Sequence, residues 1–217
     1  MGIKERKRRE REIRRQQIQK AAKELFILKG FNSTTIEDIA KKAELSPATI
    51  YLYFKNKEEL YASLNLITLQ YLHDQIEKIY KNAQLPVEKK MLKFKDAMYN
   101  TFQYDPLILR NLLHIQIEDT LSLLSKEMPK QLNNLSQKTM RMVADIYEEG
   151  VRQGKFREGL GIVHADIMWA MVTGVVIYEE AKRKINPKKD FLKPTLDRAF
   201  DIFYRGIMRS NGKKGSR

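Results

Sequence analysis

Apolar residues recur at intervals of three and four along almost the whole chain, and alternating β-branched runs joined by hairpin turns are absent. That period belongs to helices, so the expected fold class is all-α. Helix one carries Ile18, Ala21, Ala22, Leu25 and Phe26 on one stripe, with Gly30 as its C-cap. The charged residues 4–15 before it read as a loose or solvated extension of helix one. Thr34-Thr35-Ile36-Glu37-Asp38 opens a second helix with a capping box, a Thr followed by an acid three residues on. A tight break at Glu44-Leu45 precedes Ser46-Pro47, where Ser caps a short third helix and Pro takes its first position. Asn56 caps a long fourth helix over 57–82, with Leu60, Leu64, Ile67 and Tyr71 as its core stripe. Further helices are expected near 87–103, 106–126, 129–153, 162–184 and 189–209, separated by Asp105-Pro106, Met128-Pro129, Gly154 to Gly161 and Asn186-Pro187.

This gives an N-terminal three-helix head over residues 1–60, with 1–12 as a basic extension. A long helix joins it to a larger helical body over 61–211, and 212–217 is a disordered tail. Within the head, two short helices meet through a tight turn, the spacing of a helix-turn-helix. Ile39, Ala40 and Ala43 face Leu45, Ile50 and Phe54 on the inside. Ser46, Ala48, Thr49, Tyr51, Leu52 and Tyr53 remain for the outside. Tyr, Leu and Tyr so close together are unusual on a helix that meets only water. In a DNA major groove they make chemical sense. Thr49 can bond a base edge, Ala48 and Leu52 can meet a thymine methyl, and the Tyr51 and Tyr53 hydroxyls can reach phosphates. Lys55 and Lys57 at the start of the next helix suit phosphate, and Thr34 and Thr35 can serve the opposite strand.

Charge supports a polyanionic partner without locating it. The 217 residues carry a formal net charge of +14. The surplus is denser in the head but lies mostly beyond it, including a tail from Arg205 to Arg217 with no acid. Zero cysteines exclude disulfides, thiol nucleophiles and cysteine metal sites. His73, His114 and His164 lack metal-ligand spacing, and Glu118-Asp119 reads as a polar helix face. No G-x-G-x-x-G, G-K-[ST] or G-x-S-x-G is present, so neither an enzyme nor a cofactor is expected. The charged N-terminus has no apolar run behind it. The longest apolar stretch, Ile167 to Tyr178, is too short to span a bilayer. The expectation is a soluble cytoplasmic protein with no membrane partner. A non-specific nucleic-acid or anionic-surface binder using the basic termini remains the alternative to sequence-specific recognition.

The run Thr34 to Ala43, followed by Leu45-Ser46-Pro47-Ala48-Thr49-Ile50-Tyr51-Leu52-Tyr53-Phe54-Lys55-Asn56-Lys57-Glu58-Glu59-Leu60, resembles the tetracycline-repressor (TetR) family over roughly residues 13–62. The resemblance implies a homodimeric transcriptional regulator, in most members a repressor released from its operator by a small inducer held in the body. It assigns DNA contact to Thr35, Ser46, Ala48, Thr49, Tyr51, Leu52, Tyr53 and Lys57. With Thr34, Pro47 and Lys55 these complete the candidate DNA-binding set. It also implies that the last two helices form the dimer interface. Two apolar stripes fit that role: Ala165, Met168, Val172 and Val176, and Leu196, Phe200, Phe203 and Ile207. A dimer would place two recognition helices about 34 Å apart on a palindromic double-stranded operator. Candidate pocket residues are Phe94, Met98, Phe102, His114, Ile117 and Trp169. Their apolar character suits a hydrophobic inducer.

Overall fold

The computed structural model describes residues 2–106, 120–188 and 190–209, with side chains from residue 122 onward in the second stretch. The expected helix over 106–126 and the pocket candidates His114 and Ile117 lie largely or wholly outside them. The described residues form the helices α1 (Ile3–Lys29), α2 (Ile36–Lys42), α3 (Pro47–Tyr51), α4 (Lys57–Lys81), α5 (Val87–Tyr104), α6 (Thr120–Leu123), α7 (Glu127–Arg152), α8 (Gly161–Ile185) and α9 (Leu192–Ile207). No strand occurs among them. One isolated antiparallel bridge joins Phe156 to Met208. The fold is all-α, as the periodicity requires.

Several helix ends differ from expectation for local reasons. Of the two readings of the basic run, the solvated extension of helix one holds: α1 is helical from Ile3, with residues 2–14 exposed. Its Arg, Lys, Glu and Gln residues are good helix formers that lose little rotamer freedom in a helix. α7 starts at Glu127, two residues before the expected 129, and α9 at Leu192, three after the expected 189, so Pro129 and Pro194 each stand third in their helix. A first-turn N–H has no intrahelical partner, so proline costs little there.

The chain divides into two units. One comprises the described residues of Met1–Ile67 and Asn111–Leu132, the other those of Thr68–Arg110 and Asn133–Arg217. The division falls inside α4 rather than at residue 60, and α7 likewise has residues in both units. In the first unit, Ile18, Ala22 and Phe26 of α1 are buried with Ile39, Ile50, Phe54 and Leu60, each at 2% exposure or less. Phe26 meets Tyr61 edge-on at 5.1 Å, and Phe31 lies 4.6 Å from Tyr61. Gln19 donates to the Ser63 hydroxyl at 2.9 Å, and Gln17 donates to the Ala43 carbonyl at 2.6 Å. Ile67, expected in the α4 core stripe, is exposed.

In the second unit, α5, α8 and α9 pack together. Phe94 and Phe200 lie 6.1 Å apart, and the Lys95 ammonium pairs with Asp197. The Lys95 hydrogen bond holds the Asp197 carboxyl below its usual range. Glu179 is pushed up by burial, but hydrogen bonds from Lys182 and Thr195 outweigh that and leave it lowered. Gly161 brings α8 against α7 so closely that an added Cβ would lie 2.5 Å from the Ala144 carbonyl oxygen.

The two stripes assigned to a dimer interface are corrected by their burial. Ala165, Met168, Val172, Val176, Leu196, Phe200 and Ile207 are each at most 5% exposed within the single chain. Phe203 is half-buried. They are protomer core, because α8 packs on α9 and α9 on α5 through these faces. The outward face of α8 carries a second apolar set, Val163, Ile167, Ala170, Ile177 and Tyr178. With both faces apolar, α8 has the length and composition of a membrane-crossing helix even though one stripe is core.

Gly150 of α7 supports Phe156, whose ring would lie 2.1 Å from an added Cβ. Gly150→Ala should therefore destabilise the chain by about 1–3 kcal/mol through overpacking. Urea unfolding of the two proteins measures this, and an unchanged midpoint would show that the Phe156 ring moves aside at no cost.

Candidate nucleic-acid interface

The recognition element is short and is built by caps. Thr35 is the N-cap of α2: its hydroxyl accepts from the Asp38 N–H at 3.1 Å, while the Asp38 carboxylate accepts from the Thr35 N–H at 3.1 Å. Lys29 at the end of α1 donates to the same carboxylate at 2.7 Å. The Lys29 hydrogen bond, and after it the one from Thr35, holds the Asp38 carboxyl below its ordinary value. Glu44 then turns the chain. Its φ of 55° lies in the left-handed region, where a non-glycine residue is strained. The turn lets the Leu45 N–H reach the Ala40 carbonyl at 2.9 Å. Ser46 caps α3 by accepting from the Thr49 N–H at 3.1 Å, with Pro47 at the first helical position.

Five residues of helix are held by two buried anchors, Ile50 and Phe54. The opposite side is left to solvent. Ser46, Pro47 and Ala48 lie on it, Tyr51 is 54% exposed and Leu52 is 74% exposed. Thr49 and Tyr53 are at its border, and Lys55 and Thr35 are exposed. The Thr49 and Ser46 hydroxyls share a hydrogen bond at 2.9 Å, which fixes both at the start of the helix. The result is a continuous outward surface of small hydroxyl, apolar and phenolic groups, chemically matched to base edges, thymine methyls and phosphates.

Two expected residues have other work. Thr34 is fully buried and donates to the Gly30 carbonyl at 2.7 Å, so it is removed from the DNA-binding set. Of two adjacent threonines each followed by an acid at the third position, burial selects Thr35 as the cap. Lys57 donates to the Phe31 carbonyl at 3.0 Å and the Thr34 carbonyl at 2.8 Å, and lies 4.4 Å from the Phe31 ring centroid. Two of its three N–H donors thus hold the α1–α2 loop, leaving one for any anion. Two further contacts carry no local sequence signal. Arg11 lies over the Tyr53 ring at 5.9 Å and Arg15 over the Phe54 ring at 4.9 Å. Nothing in a charged run tells which of its arginines meets an aromatic ring about 40 residues away.

In the second unit, Phe94, Met98 and Phe102 are each 3% exposed and packed as core. Trp169 is half-buried. A cavity of about 380 Å³ lies instead beside α8, lined by Pro106, Val176, Ile177, Glu180, Lys184 and Ile185 among others. None of the four described pocket candidates lines it. Among the described residues, no group of three or more His, Asp or Glu could hold a metal ion.

Residues 18–64 match the family model described as bacterial regulatory proteins, tetR family. The chain is 29% identical over 146 residues to the fatty acid metabolism regulator protein of Bacillus subtilis (strain 168), covering 67% of this chain and 72% of that protein. Its fold matches the crystal structure of the TetR family transcriptional regulator PfmR from Thermus thermophilus, with a TM-score of 0.70 and 24% identity over 88% of this chain and 99% of that one. It also matches the transcriptional regulator FadR from Bacillus subtilis in complex with stearoyl-CoA, with a TM-score of 0.67 and 22% identity over 88% and 98% of the two chains.

The capping box carries a pH dependence. Because folding lowers the Asp38 pKa, its contribution is fully present above the ordinary value of 3.8 and is lost as pH falls through the lower folded value. Asp38→Asn should lower the urea midpoint at neutral pH, with the gap to the native chain closing below that range. A gap that stays constant into strong acid would show that the carboxylate's charge does not stabilise the head.

Proposed function

We infer that the chain is a DNA-binding transcriptional regulator of the tetR family, whose model its residues 18–64 match, and that it acts as a homodimeric repressor of the bacterial cytoplasm, released from a palindromic operator by a long-chain acyl ligand. It works as a binder and not as an enzyme. The observation that carries the reading is the outward surface of α3, where Tyr51 and Leu52 are exposed while Ile50 and Phe54 anchor the helix from behind. Water gives no reason for that exposed leucine, whereas a thymine methyl does. In this reading Ser46, Ala48, Thr49, Tyr51, Leu52 and Tyr53 face the major groove, and Thr35, Pro47 and Lys55 border the backbone.

The acyl ligand is supported by the relative named for fatty acid metabolism and by the fold neighbour solved in complex with stearoyl-CoA. Both reach beyond the head into the helical body. Ligand and DNA would oppose each other because each favours a different arrangement of the same protein, and linkage makes the effect reciprocal. The helices α4 and α7 have residues in both units and are the elements through which such coupling would run.

In this reading the dimer forms through the outward faces of α8 and α9. Val163, Ile167, Ala170 and Ile177 of α8, with Ala199 and Ile202 of α9, form an apolar surface that the protomer leaves open or half-open. Gly174 and Gly206 lie on those faces, and a Cβ added to either would meet nothing within 4 Å. A glycine inside an exposed helix costs about 1 kcal/mol relative to alanine. Here nothing within the chain requires it, but close approach of a partner helix would.

Selection of bound duplexes from a random library tests the specificity. The expected product is a palindrome whose half-site centres lie about one helical turn apart. Leu52→Ala should weaken binding to that operator about five- to tenfold and leave non-specific binding unchanged. Stearoyl-CoA should release the native complex. Enrichment of no motif would replace the repressor reading with the non-specific one, and operator affinity unmoved by saturating stearoyl-CoA would remove the acyl ligand.

Charge placed on the outward faces should separate the protomers. Ile167→Glu combined with Ile202→Glu is expected to give a folded monomer by sedimentation and far-UV circular dichroism. A dimer that persists would move the interface elsewhere.

A further inference from the structure

The first turns of α1 bury nothing: residues 2–14 are all exposed, and the buried residues of the helix begin at Ile18. Between Lys4 and Arg15 there are eight basic residues and three acidic ones. Their order is not random around the helix. At 3.6 residues per turn, Lys4, Lys7, Arg8, Arg11 and Arg15 fall on one face. Glu5, Glu10, Glu12 and Arg14 fall on its flanks, and Arg6 and Arg9 lie on the opposite side. Two members of this face mark where it lies, since Arg11 sits over Tyr53 and Arg15 over Phe54. Those rings directly follow Leu52, so the basic face adjoins the end of the recognition surface.

We propose that this basic face is a second DNA-binding element, a helical arm that contacts duplex phosphates beside the half-site read by α3. The proposal rests on the reading of α3 as the DNA-recognition helix. From Lys4 to Arg15 the arm spans about 16 Å along its axis. Each strand of duplex carries a phosphate roughly every 3.4 Å of its own axis, so an arm of that length meets several. Arginine and lysine contacts of this kind add affinity and fix register without reading sequence. The stacking of Arg11 and Arg15 on Tyr53 and Phe54 orients the arm, and Lys4, Lys7 and Arg8 supply its outward charges.

Two double variants of equal charge change test it: Lys7→Gln with Arg8→Gln on the basic face, and Arg6→Gln with Arg9→Gln opposite. Glutamine keeps helix propensity, and circular dichroism checks that the helix content is unchanged. Binding to the selected operator and to a scrambled duplex is measured across a range of salt. The basic-face pair should reduce the slope of log affinity against log salt by about one to two on both duplexes, near 0.9 for each phosphate that is no longer neutralised. The opposite pair should change it by less than about half that. The selected motif should stay the same. Equal effects of the two pairs would overturn the proposal in favour of diffuse attraction, and no effect of either would overturn it outright. A basic-face pair that leaves the DNA slope unchanged but abolishes binding to phosphatidylserine vesicles would overturn it in favour of a membrane surface. A native chain that shows no preference for any sequence would sink the α3 reading, while the slopes on scrambled duplex would still judge the arm.

Discussion

A helix of five residues is not stable alone, because the first turn costs more conformational entropy than its single hydrogen bond returns. α3 exists because Ile50 and Phe54 are buried behind it, with α2 packed on α3 and Arg15 of α1 over the Phe54 ring. Burying two such side chains supplies roughly 1.5–3 kcal/mol each, set against the entropy of ordering the loop around them. The caps add direction to that burial. Ser46 begins the helix, and Glu44 in the left-handed region ends the previous one. With both ends and one face fixed, the remaining face has no freedom to turn its tyrosine and leucine inward. The exposed surface is therefore a consequence of the buried one.

The second unit follows a different logic. α8 and α9 are apolar on more than one side, and the chain can bury only part of that surface by itself. The inward sides take Met168, Val172, Leu196 and Phe200. The outward sides are left with Ile167, Ile177 and Ile202 in water. An apolar surface of this kind on two adjacent helices is the usual property of a helical dimer contact. The pairing of Lys95 with Asp197 and the seat of Gly161 on the Ala144 carbonyl fix which sides face inward.

What was legible in the sequence was local. Gly30, Ser46-Pro47 and Asn56 mark helix ends through geometry that a few neighbouring residues decide, and all three do so in the structure. Period gave the helices themselves. The exposed positions Tyr51 and Leu52 followed from placing Ile50 and Phe54 inside. Residues with equal local claims were not told apart. Thr34 and Thr35 are the same residue type and each has an acid three residues on, Glu37 and Asp38, so only the burial of Thr34 against the end of α1 separates them. Lys55 and Lys57 look alike until the Phe31 and Thr34 carbonyls come within reach of one of them.

The sequence by itself determined the helical class, the helix-turn-helix and the identity of its outward residues, because periodicity and capping act over three or four neighbours. Tertiary structure decided which of two apolar stripes on α8 became core, and that Phe94, Met98 and Phe102 are packed rather than open. It also brought Arg11 and Arg15 to the aromatic rings beside the recognition helix. These outcomes depend on what lies across from a side chain. Hydrophobic burial has no direction of its own, so a stripe is assigned only when another element arrives to cover it.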